Sequence, residues 1–494
     1  MNLTKKGLAS ALAAIFVFCT FTGCGTDSFY YTDDGKTHYP GEINIVLSDD
    51  RITANNKTVY STISNIYTSH DVVYYEDRDF YDNGYPYGAG TSSDKHTSEE
   101  AEKITVVNIT NAGTYRISGK LSNGQIRVDL SKRARNNANA VVNLVLDGVD
   151  INCDIAPAII FKNVYECETG THRADFSSGA DTSAAGANII IADGSVNNIN
   201  GSHVAKIFKD KDGEKKKWKQ DGAIYSYMSL NINGEAENSG ILNVTADFEG
   251  ISTEKHITVN GGNINIIAQN DGINVNFDYS VATINGGNLN ILAGLSEDGG
   301  DGIDSNGWIV VNGGTTVSIG VRSTDSGIDD EKSCYLNGGT LISYGSHIDW
   351  AELDSKQTSI NLQFKEETRM SKAIVITDSN DKVIFAFDPS RNDIFNPYRF
   401  RRKGIVISSP QFNVGESYNL YIGGEIYGEE HCGIYDTDSI EGFENSTQQG
   451  YYKYRQLVHG GYKADEDKTF TPNTSFVMED VVAGFVYVTD AYAD

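Results

Sequence analysis

The stretch SEDGGDGIDSN sets Asp298, Asp301 and Asp304 at every third position of a glycine-rich loop, and STDSGIDDE adds Asp325, Asp329, Asp330 and Glu331. Related phrases stand upstream: Asp221-Gly222-Ala223, Glu249-Gly250-Ile251 and Asp271-Gly272-Ile273. In a further copy, Ser326-Gly327-Ile328, a hydroxyl replaces the carboxylate. Acidic side chains among glycine turns are the donor set of a hard cation. Calcium takes six to eight oxygens from carboxylates, amides and backbone carbonyls in flexible geometry, whereas magnesium demands a stricter octahedron. The region Asp271 to Asp304, and after it Asp325 and Asp329, is therefore a candidate calcium site. Asp-Gly is also a common turn dipeptide, so a row of solvated turns remains the alternative. A second kind of chemistry is offered by KIFKDKDGEKKKWKQ at 206–220, with seven lysines and one tryptophan. Lys216 could meet a carboxylated sugar while Trp218 stacks on a ring face. A solvated insertion is the competing reading.

These residues need a scaffold that returns to the same place, and the sequence supplies a period. Asn-Gly recurs at Asn233, Asn260, Asn285, Asn312 and Asn337, spaced by 27, 25, 27 and 25 residues. Each lies between short stretches such as ATINGG and NLNILAG, where Ile, Val and Leu alternate with Asn and Thr. That alternation is strand periodicity, and a repeat of 20 to 50 residues marks a solenoid. The reading is an all-β chain: a parallel β-helix over residues 43–350, followed by an antiparallel β-rich region at 351–494. Loop insertions are expected at 67–103 and 203–220. Equivalent asparagines would stack coil on coil through their amides, tolerating the left-handed backbone that corners need. Equivalent carboxylates would lie about 4.8 Å apart. Such a pair repels by about 1 kcal/mol in water and ~3–4 kcal/mol at an effective dielectric near 20. A row of them calls for solvent or a cation.

Charge and targeting narrow the partners. The net charge of −27 repels phosphate backbones, which excludes nucleic acid as a partner. Lys5 and Lys6 precede an apolar run that ends at Thr22-Gly23-Cys24, the pattern of a lipoprotein signal covering residues 1–23. Cys24 would then carry lipid and begin a linker over residues 24–42. This anchor would be the chain's sole attachment to a membrane, on the extracellular face of the cell. Cys153, Cys167, Cys334 and Cys432 show no zinc-type pairing, and both a Cys153–Cys167 bridge and buried thiols remain open.

The runs FEGISTEKHITVNGGNINIIAQNDGINVN, DGIDSNGWIVVNGGTTVSIG and GIDDEKSCYLNGGTLISYG bring a family into view. Together with ITNAGTYRISGKLSNGQIRVD and IVISSPQFNVGESYNLYIGG, they resemble bacterial carbohydrate-binding-domain-containing surface proteins. The likeness extends over roughly residues 43–425. It implies a right-handed β-helix similar to pectate lyases that binds calcium and acidic plant cell-wall polysaccharide such as polygalacturonate. Carried over by position, it points to Glu249, Asp271, Asn274, Asp301 and Asp304 as calcium-site residues.

Three functions compete on this basis: a calcium-assisted binder of acidic polysaccharide, a polysaccharide lyase, and a structural surface protein stiffened by calcium. A lyase needs calcium and a base, often arginine, within reach. Arg322 is the one arginine between Arg173 and Arg369. Asp301 and Asp304 could form a hydrolase pair, but the Gly-His-Gly of polygalacturonases is missing. The binder is the preferred reading.

Overall fold

The computed structural model describes residues 30–31, 36–75, 95–167, 176–204, 220–322, 324–345, 351–369, 373–395, 401–422 and 424–445, with backbone strands between 451 and 489. The signal segment, Cys24 and the stretch bearing Lys216 and Trp218 lie outside the described residues.

Strands of each repeat pair in parallel with their equivalents in the next, so the chain forms stacked coils with three columns of strands. The first column runs through Gly124–Asp129, Ile159–Asn163, Gly222–Ser226, Glu249–Thr253, Ile273–Val275, Ile303–Ser305 and Ile328–Asp330. The second includes Ala187–Ile191, Leu230–Gly234, Ile257–Val259, Val281–Ile284, Trp308–Val311 and Ser333–Leu336. The third includes Val196–Gly201, Ile241–Ala246, Asn263–Ala268, Asn288–Ala293, Thr315–Gly320 and Thr340–Gly345. The long strand Val142–Cys153 pairs into both the second and third columns and joins them in one large sheet. Helix is nearly absent: among the described residues the α-helix Ser98–Ala101 is a single turn, closed by the Thr97–Glu100 capping box. Part of the expected loop at 67–103 is thus ordered, since Ile66–Ser69 also pairs antiparallel with Thr105–Ile109.

The interior explains the register. Ile126, Ile159, Ile224, Ile251, Ile273, Ile303 and Ile328 align in one row and are all fully buried. Each such side chain contributes about 1.5–3 kcal/mol by leaving water. A slip of one residue would turn the whole row outward, so the hydrophobic pattern fixes the pairing. The parallel stack ends where Thr340–Gly345 pairs antiparallel with Arg401–Ser408. Beyond it, Ile374–Asp378 lies between Val383–Phe387 and Ser417–Ile422 in an antiparallel sheet.

The corner asparagines stack as their spacing implies. Asn260 Nδ2 donates to Asn233 Oδ1, Asn285 to Asn260, Asn312 to Asn285 and Asn337 to Asn312, at 2.9–3.0 Å. The backbone detail differs from the expectation, because the left-handed conformation is not carried by these asparagines. It falls on the second glycine of each Asn-Gly-Gly, with φ of +96° at Gly262, +87° at Gly287, +75° at Gly314 and +78° at Gly339. Glycine has no Cβ to clash there, and relieves asparagine of the task. Among the described residues Cys153, Cys167, Cys334 and Cys432 form no disulfide, which removes the Cys153–Cys167 bridge.

Candidate functional site

The acidic corner precedes the first-column strands. Its residues are brought into line by main-chain hydrogen bonds: Gly250 N–H donates to Asp271 O, Gly272 to Asp301 O and Gly302 to Ser326 O, at 2.8–3.0 Å. Glu249, Asp271, Asp301 and Ser326 therefore occupy one position in successive coils. The glycine that follows each of them is required sterically. A Cβ on Gly250, Gly272 or Gly302 would stand 2.4–2.5 Å from the carbonyl oxygen of the next glycine in the stack.

Each corner carboxylate is engaged by the neighbouring coil. Asp271 Oδ1 accepts the Asp301 N–H at 2.8 Å, and Asp301 Oδ1 accepts the Ser326 N–H at 2.5 Å. Ser252 Oγ donates to Asp221 Oδ1 at 3.1 Å. Three residues beyond the corner lies a second row, in which Ser252, Asn274, Asp304 and Asp329 are in register. Asn274 joins the two rows, because its Nδ2 donates to Glu249 Oε1 at 2.5 Å and to Asp271 Oδ2 at 3.2 Å.

One coil later the amide is gone. By register, Asp304 stands to Asp271 and Asp301 as Asn274 stands to Glu249 and Asp271. Where an amide bridged two carboxylates, a third carboxylate now joins them. The Asp301 carboxyl is pushed up to about 8, by burial first and then by the charges of Asp271, Asp329 and Asp325, against the pull of the Ser326 N–H. Asp330 is pushed up to about 7, by burial and by Asp329, Glu352 and Glu331. The second row is buried at Ser252 and Asn274 and opens at Asp304 and Asp329, which are partly exposed.

The chemistry of these donors fits a hard cation. Asn274 Oδ1 is buried beside Glu249 and Asp271 and accepts no hydrogen bond among the described residues. Oxygens of carboxylate and amide type are what calcium takes. Among the described residues, however, no three His, Cys, Asp or Glu side chains stand in metal-holding geometry. The side chains alone form an incomplete shell.

Two other sequence candidates stand outside the two rows. Asp298 is exposed. Asp325 is buried and closes its own turn, accepting from Arg322 N–H at 2.8 Å and Thr324 Oγ1 at 3.0 Å. Arg322 donates Nε to Ser296 O at 2.7 Å and a terminal nitrogen to Leu295 O at 3.2 Å.

A family model described as carbohydrate-binding domain-containing protein matches residues 103–389, more than half of the chain. The chain belongs to that family. The match contains every coil from Thr105 to Gly345 and the start of the antiparallel region, so the acidic corner lies within the carbohydrate-binding domain. Among solved structures, the chain is similar to the polysaccharide lyase-like protein from C. thermocellum, in its gadolinium derivative. That likeness is 24% identical, covers 61% of this chain and 93% of that one, and has a TM-score of 0.34. No curated protein matches the chain.

The carbohydrate-binding domain also holds elements that its sequence did not announce. Residues 176–185 lie across the outward face of the second column. Asn337 and Asn312 Nδ2 donate to Ser177 O and Ser178 O at 2.8 and 3.1 Å, Ala180 N–H to Thr283 Oγ1 at 3.3 Å, and Thr182 Oγ1 to Thr258 Oγ1 at 2.6 Å. A second asparagine ladder runs along the third column through Asn198, Asn243, Asn265 and Asn290, and ends on Asn392 of the antiparallel region. The repeated Asn at alternate strand positions was its visible signal.

Proposed function

We propose that the chain binds an acidic polysaccharide of the polygalacturonate type without cleaving it, with calcium between protein and polymer. The observation that carries this reading is the exchange of Asn274 for Asp304 in the next coil, which sets a carboxylate, in register, where an amide bridges Glu249 and Asp271 one coil earlier. Asp271, Asp301 and Asp304, with Asn274 Oδ1 beside them and Asp329 one coil on, would hold the ion. Backbone carbonyls and carboxylates of the polymer would complete its shell. A bound calcium would supply the positive charge that lets two anionic surfaces meet.

Charge balance supports the need for such a bridge. A chain of net charge −27 and a uronate polymer repel within a screening length of about 8 Å at physiological salt. The non-catalytic reading is supported by Arg322, whose guanidinium is held by the Ser296 and Leu295 carbonyls. We further infer that the coils wind as a right-handed β-helix, since parallel crossover connections are right-handed in about 98% of cases. The display site is the outer face of a bacterial membrane, through lipid on Cys24. Cys24→Ser is expected to move the protein to the soluble fraction, and a variant still bound to membranes would contradict the anchor.

Co-sedimentation with polygalacturonate tests the function. Binding should be strong in calcium, fall sharply in chelator, and produce no unsaturated product absorbing in the ultraviolet. An uncharged glucan should gain little from calcium. Growth of that absorbance would replace the binder with a lyase. Equal binding to both polymers, indifferent to chelator, would remove the acidic-polysaccharide assignment.

A further inference from the structure

The acidic rows leave a second cluster unused, at the corner between the first and second columns. There Lys255, Phe277, Tyr279, Trp308 and Lys332 come from four successive coils. Lys255 Nζ sits 4.0 Å from the centre of the Phe277 ring. The Phe277 and Tyr279 rings are 6.2 Å apart, and Tyr279 and Trp308 are 6.4 Å apart. Lys332 Nζ stands 5.0 Å from Tyr279 and 5.6 Å from Trp308. Trp308 is buried and backed by Phe176 at 4.9 Å, so it fixes the floor of the cluster. Tyr279, 37% exposed, offers its ring to solvent.

Neither lysine has a carboxylate within salt-bridge distance among the described residues. A lysine ammonium over a ring keeps donors for a further acceptor. Acidic residues outnumber basic ones here by 67 to 40, so two lysines turned to aromatic faces instead are positioned for an anion from outside. An exposed ring between two such cations matches one chemical class, a uronate sugar. Its pyranose ring has an apolar face for Tyr279, and its carboxylate can accept a charge-assisted hydrogen bond from Lys332. The location is apt, because Tyr279 follows Asn274 by five residues and Lys332 follows Asp329 by three.

We propose that this corner is a calcium-independent contact for acidic polysaccharide, with Tyr279 stacking on a uronate ring and Lys332 holding its carboxylate. The inference rests on the acidic-polysaccharide reading but uses none of the calcium-site residues. The test is binding of the full chain to polygalacturonate in chelator, for wild type, Tyr279→Ala, Lys332→Ala and Lys332→Arg. Each alanine variant should lower the chelator-resistant affinity about tenfold, the scale of one lost charge-assisted contact. Lys332→Arg should retain most of it, and the calcium-dependent gain should keep its ratio in every variant. No chelator-resistant binding by wild type, or alanine variants that bind as wild type while merely melting earlier, would overturn the inference. Loss of the calcium-dependent gain alone would count against the calcium site and leave this contact standing.

Discussion

The asparagine corner and the acidic corner belong to the same coils and have the same period, yet they solve stacking differently. Asn260, Asn285 and Asn312 each donate to the coil before and accept from the coil after, so the ladder from Asn233 to Asn337 is joined by neutral amides. A carboxylate can only accept. In the acidic corner the donors must come from elsewhere: the N–H of Asp301 for Asp271, the N–H of Ser326 for Asp301, and the Asn274 amide for Glu249 and Asp271. Burial first, and then the charges of Asp271, Asp329 and Asp325, raise the Asp301 carboxyl to about 8. Identical geometry therefore yields architecture from amides and a candidate ion site from carboxylates.

The largest effect expected of this difference is on calcium. An ion that binds only the folded state at 100 times its dissociation constant adds about 2.7 kcal/mol. Thermal melting should thus rise with calcium in wild type and rise much less in Asp271→Ala, while Asn285→Ala should keep the full calcium increment. Equal melting of wild type in calcium and chelator would reduce the acidic row to turns.

The converse substitution sharpens the contrast. Asn285→Asp removes the donor to Asn260 but can still accept from Asn312, and should destabilise by about 0.5–1.5 kcal/mol in chemical denaturation. A neutral outcome would mean that the ladder adds no net stability.

A smaller effect lies in pH. The Asp301 carboxyl is raised from its ordinary value of 3.8 to about 8, so between these values the folded state binds more protons than the unfolded. Stability from this group is present at low pH and lost as pH rises toward 8. In chelator, melting should therefore decline over that window, and Asp301→Asn, which keeps an acceptor for the Ser326 N–H, should flatten the decline. An unchanged slope would contradict the assignment.

Much of this contrast could be read from sequence. The spacing of Asn-Gly located the ladder, and acidic residues beside glycine located the second corner. What spacing could not supply was the identity of hydrogen-bond donors. Asp301 N–H and Ser326 N–H are main-chain groups, invisible as residue types. The left-handed turn fell to Gly262 and its equivalents because two glycines were available where one sufficed. Residues 176–185 were unreadable because their partners, such as Thr283 and Asn337, lie more than 100 residues away. The aromatic corner was missed for a related reason: Phe277, Tyr279 and Trp308 sit at unequal offsets from the Asn-Gly corners and meet only when the coils stack. The helix at Ser98–Ala101, by contrast, carried a legible Thr97–Glu100 capping signature inside a stretch assigned to loop.

The most direct test is Asp304→Asn, which writes the Asn274 solution into the next coil. Thermal melting of wild type and variant, each in calcium and in chelator, measures it. The account predicts that the variant melts higher than wild type in chelator, because an amide again bridges Asp271 and Asp301, and that it gains little from calcium. A variant that matches wild type in chelator and keeps the full calcium increment would contradict it.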